Sequence, residues 1–242
     1  DEERTEDFQK AMDNPNIKAI WAGRGGYGTV RILDRLDFTK FKENPKWVIG
    51  YSDITAFHNH IHNLGIATIH GMMGTSLQDK LEDIPETIET LRKVLFGEEL
   101  EYKIESSKYN REGEVKGALI GGNIAILTSM LGSDSQMLTD GKILFIEEIG
   151  EYKYSIDRML QSLKRASYFN NIKGIIVGDM TKIKKNTTPW GSSIEQLILD
   201  VIPKDIPILF NFPAGHEPDN RALIMGRVIK MDIKEKAATV KF

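Results

Sequence analysis

A serine at Ser52, five histidines and an acidic pair at Glu147-Glu148 are the side chains of this sequence whose types and settings suit nucleophilic chemistry. A serine hydroxyl is a weak nucleophile at neutral pH; it needs a base beside it, and the base needs a third group to fix its tautomer. Ser52 lies in Gly50-Tyr51-Ser52-Asp53, directly after the apolar run Trp47-Val48-Ile49 and before a helical pattern. A serine at such a turn projects its hydroxyl from the sheet's C-terminal edge, while the following amide points at the oxygen of a carbonyl under attack. Ile54 stands where the usual G-x-S-x-G pattern has its last glycine, and taken alone the serine also reads as a helix N-cap.

The bases on offer are His58, His60, His62, His70 and His216. His58 and His62 share one helical face, but no H-E-x-x-H acid lies between them and no third ligand is near, so they read as surface or core-edge residues and no metal is expected. His70 ends an apolar strand and is a spare candidate at the same sheet edge. His216 sits in Phe212-Pro213-Ala214-Gly215-His216-Glu217-Pro218, a rigid loop directly after an apolar strand, where a scaffold holds functional groups without burying them. For the third group, Ile143-Leu144-Phe145-Ile146 is apolar on both faces and runs into Glu147-Glu148. A carboxylate there is costly unless paired, and a histidine is a natural partner. Strand parity sets Glu147 with Ile143 and Phe145, and Glu148 with Leu144 and Ile146, and it does not choose between them.

Gly23, Gly25 and Gly28 satisfy G-x-G-x-x-G between a strand and a helix, the setting in which backbone amides cradle a pyrophosphate. Asp53 is the nearest acid after a following strand, which keeps a dinucleotide-binding oxidoreductase as an alternative. The same amides could equally serve an oxyanion.

The elements that would position these groups follow from periodicity. A helix is predicted over Glu2–Met12, then a buried strand over 17–22, a helix over 29–36, a strand at 47–49, a helix through Leu64 capped by Gly65, and a strand over 66–69. Strand–helix–strand at this spacing means parallel pairing with right-handed crossovers, hence an α/β half. After a helix over 85–95, the charged stretch 98–115 carries an alternating segment, Leu100 to Ile104, and the domain boundary is expected near 105–113. This gives domains 1–105 and 113–242. The second half reads as a strand at 118–120, a Gly121-Gly122-Asn123 turn, a helix to Leu131, strands at 143–146, 174–177 and 206–210, helices near 156–164 and 193–201, and a terminal hairpin from 228–231 and 238–242.

The 242 residues suffice for one large or two smaller cores, and 40% apolar with 28% charged residues is ordinary for a globular protein. Net charge is −3 with scattered Lys and Arg, so neither nucleic acid nor an anionic membrane is an expected partner. There is no cysteine, which excludes disulfides and a thiol nucleophile. No apolar run approaches a membrane span.

Taken together, Arg24-Gly25-Gly26-Tyr27-Gly28, Gly50-Tyr51-Ser52-Asp53-Ile54-Thr55, Ile146-Glu147-Glu148 and Gly215-His216-Glu217-Pro218 resemble, in order and spacing, the LD-carboxypeptidase family of serine peptidases. The resemblance implies a Ser–Glu–His triad: Ser52 attacks, His216 takes and returns the proton, and Glu147, the first acid after its strand, orients the imidazole. It implies an oxyanion hole from the Asp53 amide and one glycine of Arg24-Gly25-Gly26, with no cofactor. It implies a cytoplasmic homodimer that releases terminal D-alanine from murein tetrapeptide, the murein peptide being its partner; a related branch cleaves microcin-type peptidyl nucleotides for self-immunity. The implied fold is a Rossmann-like parallel N-terminal domain, without the additional first strand–helix–strand portion of the family, plus a smaller mixed α/β C-terminal domain. Arg24 and Arg221 are the candidates for holding the substrate carboxylate. A binding protein that keeps the sheet without the reaction is the non-enzyme alternative.

Overall fold

The computed structural model describes residues 1–78, 80–188 and 190–242. In chain order its elements are α1 Glu2–Asp13, β1 Ala19–Trp21, α2 Thr29–Leu33, α3 Thr39–Glu43, β2 Trp47–Gly50, α4 Thr55–Asn63, β3 Thr68–His70, α5 Pro85–Phe96, β4 Glu101–Glu105 and β5 Gly113–Asn123. There follow α6 Ile124–Ser129, β6 Ile143–Ile149, α7 Lys153–Arg165, β7 Gly174–Thr181, α8 Ile194–Val201, β8 Ile208–Leu209, β9 Leu223–Met225, β10 Val228–Ile233 and β11 Ala237–Lys241. Among the described residues no helix is long and apolar enough to cross a membrane.

The strands form two sheets, one ordered β1-β2-β3-β9 and one ordered β4-β11-β10-β5-β6-β7-β8. In the first, β1, β2 and β3 are parallel, as the strand–helix spacing predicts. The second is parallel from β5 to β8 and antiparallel where β10 and β11 form the expected terminal hairpin. The fold is mixed α/β in a two-domain arrangement. The sheets are not divided at residues 105–113, however. The alternating segment before that point becomes β4 and hydrogen-bonds β11 in the large sheet, while β9, from the far end of the chain, adds antiparallel to β3 in the small one.

Three apolar layers follow. Phe8 of α1 stacks on Phe57 of α4 with ring centroids 4.3 Å apart, and with Met12, Phe41 and Ile61 they cover one face of the small sheet. Ile120, Leu144 and Ile146 face α6, α7 and α8 on the outer side of the large sheet. Ile49 and Ile69 of the small sheet share a core with Leu119, Phe145 and Leu209 of the large one, and this shared layer brings the C-terminal ends of β2, β5 and β6 together.

Several local expectations are corrected. β1 is a sheet edge with Ala19 and Trp21 exposed, not a buried strand. Gly121-Gly122-Asn123 is no turn: β5 runs through it to Asn123, paired with β6, because the glycines allow a backbone approach that a Cβ at Gly121 would block on the Phe145 carbonyl. Helices α2 and α6 stop early, at Leu33 and Ser129, and α3 and β9 are too short to carry a periodic signal.

Candidate active site

The turn after β2 is a single 3-10 turn, Ser52–Ile54, leading into α4. Ser52 has φ +61°, in the left-handed region that costs a non-glycine residue about 1–2 kcal/mol. Such strain persists where surrounding structure enforces it and concentrates at functional sites. Two buried polar anchors do the enforcing. His58, fully buried one helical turn on, donates from Nε2 to the Gly50 carbonyl at 2.9 Å, and burial pushes its pKa down to about 4, so it is neutral. Asp53 accepts at Oδ2 from the Thr29 amide at 2.8 Å and from the Thr29 hydroxyl at 2.7 Å. The Ser52 turn is thereby tied to the start of α2, where the glycine loop ends.

That tie bears on the two uses considered for the glycine loop. The amide at the start of α2, which a dinucleotide would offer to its pyrophosphate, already binds the chain's own Asp53 carboxylate. Gly25 instead faces the serine: a Cβ there would lie 3.0 Å from Ser52 Cβ and 3.3 Å from Ser52 Oγ. Gly26 has φ +96° and no such neighbour, and Arg24 is exposed. Arg24, Gly25 and Asp53 line a cavity of about 400 Å³ between α1 and the small sheet.

On the large sheet, Glu147 is fully buried and accepts at Oε2 from His216 Nδ1 at 2.7 Å. Glu148 lies two per cent exposed but points elsewhere, accepting from Asn123 Nδ2 and from the amides of Ala125 and Ile149, and burial pushes its pKa up to about 7. The choice that strand parity leaves open is made by which face of β6 meets the small sheet. The register shift between β6 and β7 after Ile146 puts the extra residue on β7, so β6 runs on evenly: Glu147 follows Ile143 and Phe145 toward the shared core, and Glu148 follows Leu144 and Ile146 toward α6.

The His216 loop is held from both sides. Asn220 Oδ1 accepts from the Gly215 amide at 3.1 Å, and Thr87 and Thr90 of α5 bond the backbone of Asn220 and Ala222. Asp179, at the end of the apolar part of β7, accepts from the Glu217 amide at 3.0 Å, and burial pushes its pKa up to about 6. Sequence reading misses Asp179, although it carries the same signal as Glu147, an acid ending an apolar strand. Asp179, Glu217 and Asp219 line a second cavity of about 400 Å³.

The two groups meet through Tyr51, whose ring packs edge-on to His216 with centroids 4.9 Å apart. The Ser52 hydroxyl makes no hydrogen bond among the described residues, so the serine–histidine contact is not closed in this structure. Catalytic hydrogen bonds commonly tighten only when substrate is bound. The other candidates have different surroundings. His70 is fully buried in β3 against Tyr51 and Phe145, with its pKa held well below the usual range by burial. His62 meets Lys142 Nζ at 2.9 Å, and Arg221 is paired with Asp219. His58, expected at the surface or the core edge, is fully buried.

Comparison with known proteins bears on this arrangement. The family described as LD-carboxypeptidase N-terminal domain matches residues 1–71, and that described as LD-carboxypeptidase C-terminal domain matches residues 116–231. A Bacillus subtilis protein named "Probable murein peptide carboxypeptidase" is 37% identical over all of this chain and 77% of its own length. The crystal structure of muramoyltetrapeptide carboxypeptidase from Oxalobacter formigenes superposes with a TM-score of 0.88 at 27% identity, covering 99% of this chain and 82% of that one. An MccF-like protein from Bacillus anthracis superposes with a TM-score of 0.83 at 27% identity, covering 99% and 80%. With both family domains matched in order and a relative of this identity aligned along the whole of this chain, the chain belongs to the LD-carboxypeptidase family of hydrolases.

Proposed function

We propose that the protein is a serine carboxypeptidase that hydrolyses an L-to-D amide bond and releases the terminal D-alanine of murein tetrapeptide. The observation that carries this reading is the 2.7 Å bond from His216 Nδ1 to a fully buried carboxylate, Glu147. A carboxylate on Nδ1 places the ring proton there and leaves Nε2 free as a base. Ser52 Oγ attacks the carbonyl carbon as Nε2 takes its proton, and the negative oxygen is received by the Asp53 amide and the glycine loop at Gly25. The intermediate collapses as His216 protonates the departing amine of D-alanine. Water, deprotonated by the same imidazole, then releases the shortened peptide and restores Ser52. No charge is stranded, because Glu147 stays ionised opposite the imidazolium.

The names of the Bacillus subtilis and Oxalobacter formigenes proteins support murein peptide as the substrate. Likeness to the MccF-like structure supports a second reading, cleavage of a microcin-type peptidyl nucleotide for self-immunity, although the superposition is closer to the carboxypeptidase. The two are separated by incubating the purified protein with each substrate class and following products by mass spectrometry. Loss of one alanine from the tetrapeptide, with the peptidyl nucleotide intact, is the expected result. The opposite pattern would contradict the murein reading.

A further inference from the structure

The nucleophile and the Glu147–His216 pair sit on different sheets, and a misplacement of about 1 Å between such groups can cost on the order of 100-fold in rate. Beside the site the large sheet fits closely against the start of α4. At Gly122, near the end of β5, a Cβ would lie 2.5 Å from Thr55 Oγ1 at the start of α4. That hydroxyl accepts from the Asn123 amide at 3.1 Å, and the Asn123 side chain donates from Nδ2 to Glu148 Oε1 at 3.1 Å. Thr55 in turn donates its own amide to the Ser52 carbonyl, and Asn123 is the β5 residue in register with Glu147. An unbroken chain of contacts thus runs from Ser52 through Thr55 and Asn123 to the Glu147-Glu148 pair.

Thr55, Asn123, Glu147 and Glu148 are all buried, Thr55 completely, and Glu148 accepts from Asn123 Nδ2, from the Ala125 amide at 2.8 Å and from the Ile149 amide at 2.8 Å. A group that accepts from several donors at once fixes its partners in one arrangement. We infer that Thr55 and Glu148 are positioning residues, which hold the Ser52 turn in register with the Glu147–His216 pair by fixing Asn123 between them. The inference rests on Ser52 being the nucleophile of the reading above; neither residue touches the reacting atoms.

The test uses a fluorophosphonate, which reports the reactivity of the serine without any peptide, alongside D-alanine release and thermal melting. Thr55→Val keeps the side chain's shape but removes the acceptor, and Glu148→Gln turns one acceptor into a donor facing donors. Both are expected to slow labelling of Ser52 by about 10-fold or more and to lower kcat by a similar factor with KM within about twofold, the signature of lost transition-state alignment. Thr55→Ser, which keeps the hydroxyl, is expected to stay within about threefold of wild type. Folded Thr55→Val and Glu148→Gln proteins that label at the wild-type rate would overturn the inference, as would a Thr55→Ser variant that falls as far as Thr55→Val. If Thr55→Val does not fold, Glu148→Gln against Thr55→Ser decides in the same way. Wild-type protein that labels at Ser52 but releases no D-alanine would contradict the substrate reading while the labelling ratios still judge the inference.

Discussion

At the scale of single residues, the candidate site combines one strained turn with one regular strand end. Ser52 is held at φ +61°, while Glu147 continues the regular alternation of β6 on the face that Ile143 and Phe145 turn to the shared core. Ser52 and His216 are picked out in the sequence by their settings, whereas the choice of Glu147 over Glu148 is not. Parity separates the two acids correctly, but both faces of this strand are apolar and the sequence does not say which one meets the other sheet. If Glu147 holds the His216 tautomer, Glu147→Gln keeps the shape but lets the amide favour the wrong tautomer. We expect kcat for peptide hydrolysis to fall by roughly 10,000-fold with little change in melting temperature. Steady-state kinetics with thermal melting checks this; a loss below about tenfold would remove Glu147 from its role.

At the scale of elements, long periodic segments such as α1, α4, α5 and the β10–β11 hairpin are readable because each presents one apolar face. The short ones are not. β9 has three residues and joins the small sheet only because the chain returns after the His216 loop, a pairing no local pattern announces. The glycine loop is the instructive case. Its G-x-G-x-x-G spacing matches a phosphate cradle, yet the start of α2 is filled by Asp53 from the Ser52 turn. Asp53 is therefore expected to be both structural and functional. Asp53→Ala leaves the buried Thr29 amide and hydroxyl without their acceptor, which costs roughly 1–3 kcal/mol, and it frees the glycine loop from the Ser52 turn. Denaturant unfolding should show that loss, and activity should drop further than the stability change explains. Wild-type stability in the variant would mean that the Thr29 bonds are not formed.

At the scale of the whole molecule, the two sheets close over a shared core that holds several ionisable groups out of water. His58 and His62 are both pushed down to about 4, chiefly by burial, from an ordinary value of 6.5. Such a group is neutral when folded and protonated when unfolded between those limits, so the stability it allows is complete above pH 6.5 and is lost as pH falls toward 4. For His58 the loss at the bottom of that window is roughly 3 kcal/mol. Glu148 and Asp179, with raised pKa values, run the opposite way, so the informative quantity is a difference. His58→Gln, whose amide can still donate to the Gly50 carbonyl, is expected to lose less melting temperature than wild type between pH 7 and pH 4.5. Parallel curves would show that His58 is not held neutral. The same closure is what brings Ser52 from the first half of the chain beside Glu147 and His216 from the second, and the central claim is that the assembled group hydrolyses a peptide through Ser52. The most direct measurement is D-alanine released from murein tetrapeptide by purified wild type and by Ser52→Ala at equal concentration. The account predicts stoichiometric release by wild type and none above background by a folded Ser52→Ala. Release by Ser52→Ala at the wild-type rate would contradict it.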